Sequence, residues 1–280
     1  MKQLLRKYEW QDGKSLTLGQ RTMVMGILNV TTDSFSDGGK WNSLDKALFH
    51  AEEMIKDGAD LIDIGAESSH PGFVPVSADA EMERLLPFLE HVVKEIPVPV
   101  SVDTFKASTA EAAVHLGVNL LNDIWGLQYE PEAGKMAAVA AKYKVPVIAM
   151  HNQEGTIYKN DIIREMECFF ANTVKIARTA GVAEKHIILD PGIGFGKTAE
   201  QNKIVLNRLE ELTCLEYPML LGTSRKGFIG QTLNLPVNER MEGTGATCVI
   251  GIMKGCSILR VHDVKPIVRM CRMTDAVLQV

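Results

Sequence analysis

Cysteine is sparse: five occur in 280 residues, at positions 168, 214, 248, 256 and 271, an odd number with no C-x-x-C pair. This pattern excludes a disulfide framework or a thiolate zinc site and predicts reduced, mostly buried thiols. No run approaches the roughly 18 apolar residues that a spanning helix needs. The opening "MKQLLRKYEWQDGK" lacks an apolar h-region and a cleavage site, so the chain is expected to be soluble and cytoplasmic. An excess of positive charge is also missing, with 30 Lys+Arg against 35 Asp+Glu and a formal net charge of −5. That argues against nucleic acid or an anionic membrane as partner, while leaving room for a small basic pocket that binds phosphate. There is no Pro- or Gly-rich linker, charge block or low-complexity tract, so residues 1–280 read as one domain, with 1–22 as an N-terminal extension. With no H-E-x-x-H, nucleophile elbow or Cys-His dyad, hydrolytic and covalent mechanisms have little support.

What the chain does have is a recurring unit. Apolar runs rich in Val, Ile and Leu return about every 20 to 40 residues, each ending in polar residues. They are "VMGILNVT" (24–31), "ADLIDIGAE" (59–67), "VPVSVDT" (98–104), "NLLNDIW" (119–125), "VPVIAMH" (145–151), "IILDPG" (187–192), "PMLLGTS" (218–224) and "SILRVHD" (257–263). Runs apolar on both faces suit parallel strands covered on both sides. Helical patterns lie between most of them. Residues 43–57 carry Leu44, Ala47, Leu48, Ala51, Met54 and Ile55 on one stripe, with Ser43 as the expected N-cap and Gly58 as the stop signal. Glycines at 117, 181 and 255 repeat that punctuation. Eight strands alternating with helices predict an α/β fold, a (β/α)8 TIM barrel, in preference to an open doubly wound sheet. The first 20 residues read as a short β-hairpin around Asp12-Gly13, a plug at the barrel's N-terminal end.

In a TIM barrel the chemistry sits at the C-terminal ends of the strands. Those ends carry Asn29, Glu67 with Ser68 and Ser69, Asp103, Asn122 with Asp123, His151, Asp190, Ser224 with Arg225 and Lys226, and Arg260 with His262. Strand ends are turns, and turns favour Asp, Asn and Ser, so each of these residues alone also fits a turn. That explanation does poorly for Lys226, Arg260 and His262, and for eight strand ends at once. "ILDPGIGFGKT" (188–198) imitates a phosphate loop, but a Walker motif needs its first glycine at 191, which is Pro191. The glycines at 192, 194 and 196 miss the dinucleotide spacing as well. A glycine-rich turn that lets a ligand approach the backbone is what remains. "GTSRKGFIG" (222–230) follows a strand and opens a helix, giving either an anion site or an ordinary basic surface loop. Arg260 and His262, two apart at a strand end, can face the same way and offer a fork and a second donor to phosphate, although an exposed loop pair has the same spacing.

Taken together, "GILNVTTDSFSDGG", "DIGAESSHPG", "VSVDTFK", "NDIWG", "LDPGIGFGKT", "GTSRKGFIG" and "RVHDV" resemble the bacterial dihydropteroate synthase family from about residue 23 to the C-terminus, in family order. The resemblance implies a pterin-binding TIM barrel, usually a homodimer, in folate biosynthesis. It implies condensation of 6-hydroxymethyl-7,8-dihydropterin diphosphate with p-aminobenzoate, assisted by Mg²⁺, with sulfonamides competing for the benzoate site. By the same resemblance Asp190 accepts from the pterin amino edge, and Asn122 and Asp103 hold other ring nitrogens. Lys226 reaches the carbonyl side next to Gly222, while Ile124, Met150 and Phe195 form apolar walls. Arg260 and His262 clamp the diphosphate, and Asn29 contacts the Mg²⁺. Phe35 and Asp37 of the first loop, and Ser69, His70 and Pro71 of the second, match further substrate contacts. The catalytic roles fall to Asp103, Lys226, Arg260 and His262, in an SN1-like ionisation followed by attack of the amine.

Some positions depart from the pattern. Thr32 stands where the family commonly has Pro, His70 where it has Arg, and Gly227 where it often has Ser. A weaker or more pH-dependent hold on the benzoate carboxylate is therefore expected, because imidazole titrates near neutral pH and guanidinium does not. Two other functions fit the same pterin-edge residues: a pterin-binding methyltransferase, which has less need of a diphosphate clamp, and a paralogue that binds pterin without turnover.

Overall fold

The structure, a computed structural model, describes residues 4–30, 39–66 and 76–280, with residues 39–43 described by their backbone alone. Eight parallel strands form the barrel: β3 (Met23–Asn29), β4 (Leu61–Gly65), β5 (Val100–Asp103), β6 (Leu120–Asp123), β7 (Val147–Met150), β8 (Ile187–Asp190), β9 (Leu220–Leu221) and β10 (Ile258–Val261). Each falls inside one of the eight apolar runs, except that β3 begins one residue earlier. Neighbours pair in the order β8-β7-β6-β5-β4-β3-β10-β9. The ring closes where Leu189 bridges Met219 in parallel, with Leu189 N donating to Pro218 O at 2.9 Å. β4 to β9 are buried along their whole length, which is why their sequences are near-continuous Val, Ile and Leu without alternation.

Helices wrap the outside: α1 (Gly39–Lys56), α2 (Ala78–Glu95), α3 (Ala107–His115), α4 (Lys135–Tyr143), α5 (Ile162–Ala180), α6 (Ala199–Asn207), α7 (Leu209–Thr213), α8 (Gly227–Leu233), α9 (Met241–Met253) and α10 (Val264–Leu278). α1 begins four residues before Ser43, so Ser43 lies inside the helix and is not its cap. Serine is only mildly unfavourable in a helix, and nothing in "GKWN" stops an earlier start. The stop signals hold: Gly58, Gly117, Gly181 and Gly255 all follow helices with positive φ.

The N-terminal extension is the expected hairpin, β1 (Arg6–Glu9) antiparallel to β2 (Ser15–Leu18). Asp12 Oδ1 accepts from Lys14 N at 3.0 Å across the turn. Tyr8, Leu16 and Leu18 cluster with inward-facing barrel residues, among them Met25, Leu61, Leu120, Ile148 and Ile258. Each such side chain withdrawn from water contributes about 1.5–3 kcal/mol. The hairpin therefore seals the barrel's N-terminal end and leaves the opposite rim for chemistry.

Candidate active site

The floor of that rim is a buried ion cluster. The Nε of Arg260 donates to Asp63 Oδ2 at 2.6 Å, and its Nη2 donates to Asp103 Oδ2 at 2.7 Å. Asn122 Nδ2 donates to the same Asp63 oxygen at 3.0 Å. Three strands that are distant in sequence, β4, β5 and β10, thus place two carboxylates on one guanidinium. Nη1 is left uncommitted among the described residues. Burial raises the Asp103 carboxyl above the usual carboxylate range; Arg260 opposes this and Asp63 adds to it. Burial works against the Arg260 charge, but Asp63 and Asp103 hold its pKa above the ordinary value.

Asp63 was not among the sequence candidates, because it sits two residues before the end of a strand and away from any turn. A signal was present nonetheless. A lone carboxylate inside "LIDIG", wholly buried at 0% exposure, must have a charged or donor partner. Its Oδ1 has no hydrogen-bond partner among the described residues.

Above this floor lies the glycine-rich turn. Asp190, at the end of β8, accepts from Gly192 N at 2.7 Å, and burial raises its pKa against the pull of Lys226. Gly192 has φ +64°, and a Cβ there would collide with the carbonyl oxygen of His151. Only glycine lets the turn lie this close to β7. Phe195 packs with Ile124, Met150 and Phe105, so the three expected apolar walls do come together. The Nζ of Lys226 stands 4.5 Å from the centre of the Phe195 ring and donates to Ile193 O. Burial lowers the Lys226 pKa to about 8, while Asp190 favours the charge. The phosphate-loop imitation is accounted for structurally. Thr198 caps α6 in a reciprocal box with Gln201, and Lys197 points inward.

A cavity of about 680 Å³ opens over this surface, lined among others by Asn29, Phe195, Lys226, Gly227, Arg260 and His262. Gly222 borders it, since a Cβ there would meet Arg260 Cβ at 3.8 Å and Lys226 Nζ at 4.0 Å. Arg260 and His262 therefore do face the same way. His262 Nδ1 lies 2.9 Å from Ser224 Oγ, which leaves Nε2 as the ring nitrogen not engaged by that hydroxyl. Burial, then Arg260 and Arg225, lower its pKa to about 4. The "SRK" run divides its work: both basic residues line the cavity, but the Arg225 guanidinium is engaged by Asp263 at 2.6 Å, while the Lys226 ammonium lies over the Phe195 ring. Thr32, Phe35, Asp37, Glu67, Ser68, Ser69, His70 and Pro71 lie outside the described residues. Among the described residues no group of three or more His, Cys, Asp or Glu could hold a metal ion. No described helix is long and apolar enough to cross a membrane.

An eight-stranded barrel with an aspartate-, asparagine- and arginine-lined floor under a basic cavity is the architecture of a pterin-binding enzyme, and the model of the family described as "Pterin binding enzyme" matches residues 25–262. A dihydropteroate synthase of Bacillus subtilis (strain 168) is 57% identical over 264 residues, covering 94% of this chain and 91% of that protein. The crystal structure of dihydropteroate synthase from Clostridium difficile in the presence of pteroic acid shares 49% identity with a TM-score of 0.90, covering 94% and 99% of the two chains. The Xanthomonas albilineans dihydropteroate synthase with 4-aminobenzoic acid shares 36% identity with a TM-score of 0.89, covering 96% and 97%. The chain belongs to the pterin-binding enzymes and, within them, to the dihydropteroate synthases, transferases of folate biosynthesis. That membership favours the synthase over the methyltransferase alternative.

Proposed function

We propose that this chain joins 6-hydroxymethyl-7,8-dihydropterin diphosphate to p-aminobenzoate, giving 7,8-dihydropteroate and diphosphate. The observation that carries this is Arg260, anchored by Asp63 and Asp103 at 2.6 and 2.7 Å with its third nitrogen uncommitted among the described residues, in the same cavity as His262 and Lys226. A guanidinium held this way is a preorganised partner for an anionic leaving group.

In this mechanism Asp190 accepts from the pterin's amino group and ring N–H, Asn122 and Asp103 hold other ring nitrogens, and Lys226 donates to the carbonyl. Phe195, Met150 and Ile124 flank the ring. Arg260 and His262 hold the diphosphate. The methylene C–O bond breaks with its electron pair leaving on diphosphate, and the dihydropterin spreads the positive charge opposite the fixed carboxylate of Asp103. The lone pair of the p-aminobenzoate nitrogen then forms the C–N bond, and that nitrogen loses a proton. No covalent bond to the protein forms at any stage.

The side-chain amide of Asn29 on the cavity wall offers a divalent cation a hard oxygen donor, and among the described residues no carboxylate cage surrounds it. That donor set fits Mg²⁺, which keeps few protein ligands and enters with substrate phosphates. When bound it neutralises charge on the leaving diphosphate. Sulfonamides compete for the benzoate end, and the loop residues Phe35, Asp37, Ser69, His70 and Pro71 complete the substrate contacts. The chain acts as a single domain in the cytoplasm, as a homodimer.

The test is a coupled diphosphate-release assay with both substrates, with and without Mg²⁺. Release that requires p-aminobenzoate and rises with Mg²⁺ is expected. No release in either condition, with pterin binding intact, would point to the non-catalytic paralogue instead.

A further inference from the structure

Lys197 ends the turn between β8 and α6, and only 8% of it is exposed. Its ammonium has three hydrogens and meets three acceptors: His151 Nδ1 at 2.9 Å, Gly192 O at 3.0 Å and Phe195 O at 3.1 Å. An ammonium can only donate, so His151 must accept at Nδ1 and carry its proton on Nε2. Burial and the Lys197 charge both push the His151 pKa well below the usual imidazole value, consistent with that neutral form.

The two carbonyls bracket Phe195. Gly192 O also takes the backbone N–H of Phe195 at 3.1 Å, so one acceptor ties together both ends of the turn. Glycines 192, 194 and 196 all have positive φ, so the segment has little conformational preference of its own. Further ties are Gly192 N to Asp190 Oδ1 at 2.7 Å, Gly194 N to Asn202 Oδ1 at 2.7 Å, Tyr158 Oη to Gly196 O at 2.9 Å and Lys226 Nζ to Ile193 O. Two cavity groups depend on the result. The Phe195 ring lies under the Lys226 ammonium, and the Lys226 stem passes so close to Gly194 that a Cβ there would sit 2.7 Å from Lys226 Cδ.

We propose that Lys197 is a positioning residue of the pterin end: its ammonium holds the 191–196 turn in the conformation that sets Phe195, and through it Lys226, against the ligand. This rests on the reading above that Asp190, Asn122 and Lys226 take the pterin. His151, Asp190, Lys226 and Tyr158 are the titratable groups around it. Burial lowers the Lys197 pKa to about 7, with Asp190 opposing and Lys226 assisting. As pH rises through that value the amine loses its charge and keeps only two donor hydrogens, so its charge-assisted hold on the turn weakens.

The test measures the Kd of 6-hydroxymethylpterin by calorimetry, and steady-state kinetics with both substrates, for the wild type, Lys197→Met and Lys197→Gln. Loss of the charged donor should weaken pterin binding and raise the KM for pterin diphosphate by about tenfold, with kcat and the KM for p-aminobenzoate changed by less than about twofold. The wild-type Kd should weaken from about pH 6 to 8 more steeply than that of Lys197→Met, which keeps only the dependence due to Lys226. A pterin Kd within about twofold of wild type in whichever variant folds overturns the proposal, as does an equal loss in both KM values. If neither variant folds, a wild-type Kd that is flat over that pH range overturns it. A wild type that binds no pterin would sink the functional reading itself, a distinguishable result.

Discussion

Arg260 is the residue on which the site's electrostatics turn, because two buried carboxylates share its charge. Arg260→Lys keeps the charge but loses the planar fork that reaches both aspartates while leaving a nitrogen for the ligand. Its kcat/KM should fall by about 100-fold. Arg260→Met should also destabilise the fold by about 3–5 kcal/mol, because Asp63 and Asp103 would be left buried without a counter-charge. Activity assays and urea unfolding of the two variants separate these effects. His262 makes a pH prediction. In the free protein its pKa lies at about 4, depressed by burial and by Arg260 and Arg225, so it is neutral near pH 5.5. A bound diphosphate favours the charged imidazole and raises that pKa, so binding should take up protons. Calorimetry at about pH 5.5 in buffers of different ionisation enthalpy should show this uptake, and His262→Asn should abolish it; a buffer-independent enthalpy in the wild type would refute the assignment.

At the scale of elements, short parallel strands aim side chains precisely, while the turns that follow them need cross-links. The β8–α6 turn shows both. Asp190 is fixed by strand pairing, but Phe195 is placed by glycines, a lysine and an asparagine acting together. Gly192→Ala is expected to lower stability by about 1–3 kcal/mol, since φ is +64° and the new Cβ would meet the His151 carbonyl. The melting temperature should drop by several degrees, and pterin affinity should fall with it, because the turn cannot stay against β7. Unchanged melting would mean that the turn relaxes freely. Much of this element was legible beforehand: the broken Walker spacing ruled out a phosphate loop, and Thr198 followed by Gln201 carries a capping signature. The inward path of Lys197 was not legible, because its acceptors lie on the backbone of the preceding turn and on the residue that follows β7.

Across the whole molecule, the hairpin closes one end of the barrel and the cavity opens at the other. α9 packs against α10, and the pair leaves Ile250, Met253, Met273 and Val277 exposed. A second copy of the chain covering this face is the proposed homodimer. Sedimentation should report twice the monomer mass, and Ile250→Asp combined with Met273→Asp should shift it to monomer without loss of secondary structure.

The sequence by itself determined the barrel, because eight unbroken apolar runs separated by helix-stop glycines have few other ways to bury both faces. It also determined the polar identities at the strand ends, and with them the family. Only the tertiary structure decided that Asp63 joins Asp103 on Arg260, and that Asp263 engages Arg225 while the Lys226 ammonium lies over Phe195. Closing the ring of strands brings residues 63, 103, 122 and 260 within hydrogen-bonding reach of one another. No local period or spacing encodes that distance, because the closure itself sets it.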